Sequence, residues 1–97
     1  MDQAKEYLFK EVPVEPDTTI IARQQDVVAG LDVLLEAWLW EGIFCMSAVI
    51  PLAQASGLSD DELLSRLRSE LDLGEKITVK RKEKFVFVTY GCRNSKD

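Results

Sequence analysis

The sequence predicts an α+β domain in which three main helices are followed by a β-hairpin. Two observations carry this expectation. Apolar residues recur at three- and four-residue spacing from about residue 20 to residue 40, and again from Leu63 through Leu64 and Leu67 to Leu71. Further on, two runs of β-formers, residues 77–79 and 85–90, flank a charged turn. With 97 residues and 46% hydrophobic content, the chain holds one modest core, and a second domain is not expected.

Taken in order, residues 1–19 form an arm in which Pro13 and Pro16 impose an extended connector. The domain proper spans 20–91. Its first helix buries Val27, Val28, Leu31, Leu34, Leu35, Trp38 and Leu39, and Gly42 stops it. Ala29, Val33, Ala37 and Trp40 make a second, narrower apolar stripe on this helix. Two readings of that stripe stand side by side: the arm segment "YLFKEVPV" folds over it, or it pairs with a second copy or another protein. "GIFCMSAVIP" is a short buried strand or further helix, since periodicity does not separate the two. In "PLAQASGLSDDELLSRLRSEL", Leu52 and Ala53 open a short helix, Gly57 makes the turn and Leu58 plugs the core. Leu63, Leu64, Leu67 and Leu71 line the buried side of the helix that follows. Ser59 and Glu62 have the spacing of a capping box, with Asp60 and Asp61 where the helix dipole favours carboxylates. Residues 92–97 are a polar, flexible tail.

From about residue 24 to residue 90 this pattern resembles the winged helix-turn-helix superfamily: a long first helix, "PLAQASGLS", "DDELLSRLRSEL", and the strand–wing–strand of "KITVKRKEKFVFVTY". The resemblance implies DNA binding and transcription regulation. It places Ser59, Asp60, Asp61, Ser65 and Arg68 toward the major groove and makes Lys80, Arg81, Lys82 and Lys84 the phosphate-binding wing. The acids depart from that pattern. Carboxylates are repelled by phosphates and accept only from cytosine among major-groove base edges, so Asp60, Asp61 and Glu62 argue against ordinary groove reading. The wing supports a few phosphate contacts, docking on an acidic protein surface, or simply a soluble, pairing-resistant hairpin tip.

Charge is divided along the chain. Residues 1–70 carry five Lys/Arg against thirteen Asp/Glu, net −8, and residues 71–97 carry seven against four, net +3, together the overall −5. The expected function is therefore binding without catalysis: a protein-interaction or regulatory adaptor using Asp60, Asp61, Glu62, Ser65 and Arg68 together with the Ala29, Val33, Ala37 and Trp40 stripe. Its partner is another protein or a second copy in a homodimer, and the alternative is a DNA-binding regulator contacting phosphates through the wing. Histidine is absent and no glycine-rich phosphate loop occurs, so no catalytic residue, metal site, cofactor or small-molecule substrate is expected. Gly42 to Ser59 is too polar and broken for a membrane span. Cys45 and Cys92 are expected as a reduced pair in a cytoplasmic protein, a disulfide being the less favoured reading.

Overall fold

A computed structural model of the chain describes residues 17–82 and 84–94, together with Phe9 and Val12. Its centre is a five-stranded antiparallel sheet, not a helical bundle. The elements run β1 (Thr18–Val28), β2 (Leu31–Trp40), β3 (Ile43–Pro51), α1 (Leu52–Ala55), α2 (Asp60–Arg68), β4 (Thr78–Arg81) and β5 (Phe85–Asn94), with sheet order β1-β2-β3-β5-β4. The expected winged-helix domain of three main helices is thereby corrected. Residues 20–40, expected as the first helix, are a β-hairpin, and only two short helices exist among the described residues.

The reason lies in two dipeptides. Ala29 and Gly30 have φ of 51° and 80°, and Glu41 and Gly42 have φ of 49° and 80°. Two consecutive residues with positive φ are what a type I′ turn requires, and that turn closes a two-residue hairpin with the right twist. Gly42, expected as a helix stop, is a hairpin turn. Between the two turns, "LDVLLEAWLW" is apolar enough on both of its strand faces to satisfy the three-to-four spacing of a helix as well. The ambiguous segment "GIFCMSAVIP" is resolved as strand: Ile43–Pro51 is β3, with every residue from Ser47 onward buried.

The expectations after residue 51 fare better. α1 and α2 are joined through Gly57, and β4 pairs antiparallel with β5, Val79 opposite Val88. The capping box is formed: Ser59 Oγ accepts from the Glu62 N–H at 3.1 Å, and a Glu62 carboxylate oxygen accepts from the Ser59 N–H at 3.2 Å. These helices cover one face of the sheet. Ala55, Leu63, Leu67 and Leu73 pack on Val28, Leu31, Val33, Ala48, Ile50, Val86, Val88 and Tyr90 in one cluster. Three polar clamps fix the helices there. Gln54 and Asp32 bond reciprocally, at 2.8 Å in each direction. A Glu70 carboxylate oxygen accepts from the Ala29 N–H. Arg81 donates to the carbonyls of Ala55 at 3.1 Å and Leu58 at 2.8 Å, and pairs with Asp60 at 3.0 Å.

Two bulges bend the strands. Pairing passes from Ile20 opposite Trp38 to Ala22 opposite Ala37, leaving Ile21 as the extra residue in β1. On the other side, Gly91 and Cys92 together oppose Cys45. Gly91 has φ of 62°, and a Cβ there would stand 3.2 Å from the Met46 side chain, so glycine fits this position on both counts. The bulge brings Cys92 across from Cys45 and the two form a disulfide, with Cα atoms 4.1 Å apart. The expected reduced pair is corrected by this: 47 residues apart in sequence, the cysteines become cross-strand neighbours only in a sheet that places β5 beside β3. No helix among the described residues is long and apolar enough to cross a membrane.

Candidate interaction surface

The face of the sheet turned away from the helices carries a different population. At one end, Leu34, Val49 and Phe85 are buried under Phe9 and Val12, with Phe87 packed alongside. The Phe9 and Phe85 rings stack at 6.3 Å, and Phe87 meets Phe85 edge-on at the same distance. Across the middle runs a polar row set by strand register: Arg23 opposite Glu36, Glu36 opposite Ser47, Ser47 opposite Thr89, and Thr89 opposite Thr78. Arg23 Nε donates to a Glu36 carboxylate oxygen at 2.6 Å, which compensates a carboxylate only 7% exposed. Trp38 Nε1 donates to Ser47 Oγ at 2.8 Å, and Ser47 Oγ lies 3.5 Å from Thr89 Oγ1. No buried side-chain nitrogen or oxygen among the described residues lacks a partner, so the row is internally satisfied. Beyond it lie Trp38, Cys45 and Trp40, the last 42% exposed.

Among the described residues no strand pairs with the outer side of β1, the edge beside that face. β1 is eleven residues long and, among the described residues, pairs on one side only. Ile21 and Val27, 52% and 46% exposed, stand on it. With Trp40 they are the exposed large apolar residues of the described structure, all three on β1 or the strand next to it.

The residues expected from sequence are dispersed. Val33 is fully buried beneath the helices and Ala37 lies on that same helix-covered side of β2, Ala29 sits in a turn, and Trp40 points to the other face, so the four form no common stripe. Phe9 and Val12 do fold over the sheet, yet at Leu34, Val49 and Phe85, leaving Trp40 exposed. Other arm residues of "YLFKEVPV" lie outside the described residues. Asp60, Asp61, Glu62, Ser65 and Arg68 are all exposed on α2, with Asp60 engaged by Arg81 and Glu62 by the cap. The hydrogen bonds from Ser59 hold the Glu62 carboxyl below the usual carboxylate range. In the wing, Arg81 is turned inward onto the helices, Lys82 Nζ lies 5.2 Å from the centre of the Phe87 ring, and Lys80 and Lys84 are exposed. Glu83 is outside the described residues. Arg23, Glu36, Ser47 and Ile21 went unmarked in the sequence, and Val27, expected on the buried side of a first helix, is 46% exposed on β1, although the paired turns at Gly30 and Gly42 are a signal from which the strand register, and hence the polar row, follows.

Among the described residues no group of three or more His, Cys, Asp or Glu side chains is placed to hold a metal ion. Comparison with protein-family models, with curated proteins and with solved structures found no match to the chain.

Proposed function

We propose that this chain is a non-catalytic binding module that engages another protein through the β1 edge and the adjoining Trp40 end of the open face. One observation carries the reading. Among the described residues β1 pairs with another strand on one side only, and the exposed apolar residues Ile21 and Val27 stand on it, although the Val27 N–H is taken by the Asp26 carboxylate at 2.8 Å. Strand addition at such an edge draws affinity from main-chain hydrogen bonds and specificity from alternate side chains. The acidic α2 surface contributes rim charge, which sets partner choice and encounter rate more than affinity. The alternative, phosphate contacts through the wing, is weakened at two of its four cations: Arg81 is occupied with two carbonyls and Asp60, and Lys82 lies over Phe87. A cytoplasmic setting, expected from two thiols, sits poorly with the Cys45–Cys92 bond, because disulfides persist in oxidising compartments.

The reading is tested with a library of short extended peptides, mapping binding by shifts of backbone amide signals. Shifts concentrated in Thr18–Val28 and at Trp40 are expected. Shifts confined to α2 and the β4–β5 hairpin, or none with any peptide, would discard it.

A further inference from the structure

We infer that the Cys45–Cys92 disulfide is a redox latch: a dithiol reductant opens it in the folded protein, and the end of β5 beyond Gly91 then detaches from β3 while the rest of the sheet stays folded. The latch is independent of the binding surface proposed above. Its position is the first observation in its favour. β4 pairs with β5 only as far as Thr78 opposite Thr89, so among the described residues no strand pairs with the outer side of β5 from Tyr90 to Asn94. Backbone pairing holds that stretch from one side alone. The second observation is a break in the pairing that remains. Between β3 and β5 the ladder passes from Met46 opposite Tyr90 to Phe44 opposite Arg93, with the bulge interrupting it in between. Past the break only two pairs are left, Phe44 with Arg93 and Ile43 with Asn94. Gly91, at φ of 62°, stands at the break, where a residue without a Cβ leaves the backbone free to turn. The disulfide is thus the covalent link between a short terminal segment and β3. The third observation is access. Cys92 is exposed while Cys45 is buried, and neither belongs to the two packed clusters, so a thiolate reaches the bond from the Cys92 side without disturbing the core.

The reaction is thiol–disulfide exchange. One thiolate of the dithiol attacks the Cys92 sulfur and forms a new S–S bond there, and the Cys45–Cys92 bond breaks with its electron pair leaving on Cys45, which takes a proton from water. The second thiol of the reductant, as thiolate, attacks this mixed disulfide, closes the reductant to its own disulfide and releases Cys92 as a thiolate. Two electrons pass from the dithiol to the cysteines. A thiolate at the buried Cys45 is costly, so cleavage is favoured when the segment moves away and lets water in. Bond breaking and opening are thereby coupled. Once reduced, a segment kept by two backbone pairs opens far more often than a packed core. Its departure uncovers the outer side of Ile43 and Phe44, and Ile43 lies directly opposite Trp40. Redox state therefore sets the order of the sheet at its exposed tryptophan end.

The test compares amide hydrogen exchange of the oxidised and reduced wild type, and follows reduction by a dithiol at denaturant concentrations below the unfolding transition. On reduction, exchange across the pair of Phe44 with Arg93 should quicken about tenfold or more, while Ala48, Val49, Val86 and Val88 stay protected. Reoxidation should reverse the change. The rate of reduction should not vary with denaturant in this range, because the Cys92 sulfur is reached without global unfolding. The double variant Cys45→Ala with Cys92→Ala reads the open state without reductant, and chemical reduction of the wild type keeps the test valid if that variant folds poorly. Reduction that unfolds the whole sheet, exchange at Phe44 and Arg93 that is the same in both forms, or a reduction rate that climbs with denaturant in step with global unfolding each overturns the latch. None of these outcomes touches the peptide shifts expected along β1, so the two readings fail separately.

Discussion

Along β4 the sheet ends in four residues, with an exposed lysine and an arginine tied back to the helices; along β1 it ends in eleven, including the large exposed apolar residues Ile21 and Val27. The first edge carries the cations that in sequence look like a ligand-binding wing. The second belongs to a stretch whose apolar spacing looks like a buried helix. The comparison teaches that charge on a hairpin often serves to end a sheet, while the exposed apolar side chains lie on the opposite edge. Arg81 sharpens the contrast: its guanidinium spans Ala55, Leu58 and Asp60, closing the helical turn onto the hairpin, so the most basic wing residue is an internal fastener.

The largest expected effect separates the two sides by stability. Leu67 is fully buried between α2 and the sheet, and Leu67→Ala should destabilise the fold by about 2–5 kcal/mol through lost burial and the cavity left behind. Val27→Ala, at the open edge, should change monomer stability by no more than about 0.5 kcal/mol. Denaturant unfolding at low concentration measures both. If Val27→Ala were as costly as Leu67→Ala, the β1 edge would be part of the core and not a surface.

A smaller effect divides the wing itself. Arg81→Ala removes two carbonyl contacts and an ion pair around the turn at Gly57, and is expected to cost about 1–3 kcal/mol, since the side chain is partly solvated. Lys80→Ala should stay within about 0.5 kcal/mol. Equal, negligible effects at both positions would show that Arg81 is as exposed in solution as a phosphate-binding residue needs to be, and would blur the distinction between the two edges.

How much of this was legible in the sequence varies along the chain. After Pro51 the local signals are unambiguous: a capping box, a leucine stripe with one period, and two runs of β-branched and aromatic residues about a charged turn. Those elements lie close to where the sequence places them, with two corrections: β4 takes in Lys80 and Arg81 of the expected turn, and β5 runs to Asn94, into the expected flexible tail. Before Pro51, Leu31 to Trp40 is apolar on both faces because β2 is a central strand, covered by helices on one side and by Phe9, Val12 and neighbouring side chains on the other. A central strand lacks the alternation that identifies a half-buried one, and the helical template fits by default. The deciding signal was conformational, not hydropathic: Gly30 in mid-helix would cost about 1 kcal/mol, whereas X-Gly pairs at 29–30 and 41–42 close two hairpins. The candidate surface was missed for the same reason, since Ile21 and Val27 become edge residues only once the register is known.

The smallest expected effect concerns the fastening of the β4 side to the helices, through the first turn of α2. Ser59→Ala should cost about 1 kcal/mol by leaving the Glu62 N–H without its cap. Glu62 adds a dependence on pH whose sign is set by its partners. Its carboxylate accepts first from the Ser59 backbone N–H and then gains from the Ser59 hydroxyl, and both hold its pKa below the ordinary 4.5. A carboxyl with a depressed folded pKa contributes stability that is fully present above its unfolded value and is lost as pH falls through the folded one. The stability difference between wild type and Glu62→Gln, which has no charge to lose, should therefore be constant at neutral pH and shrink as pH drops below 4.5. Unfolding of both proteins across an acid series measures it. A difference that stays unchanged to low pH would mean that the cap works through geometry alone; a shrinking one would assign the acids of α2 to holding the helix on the sheet.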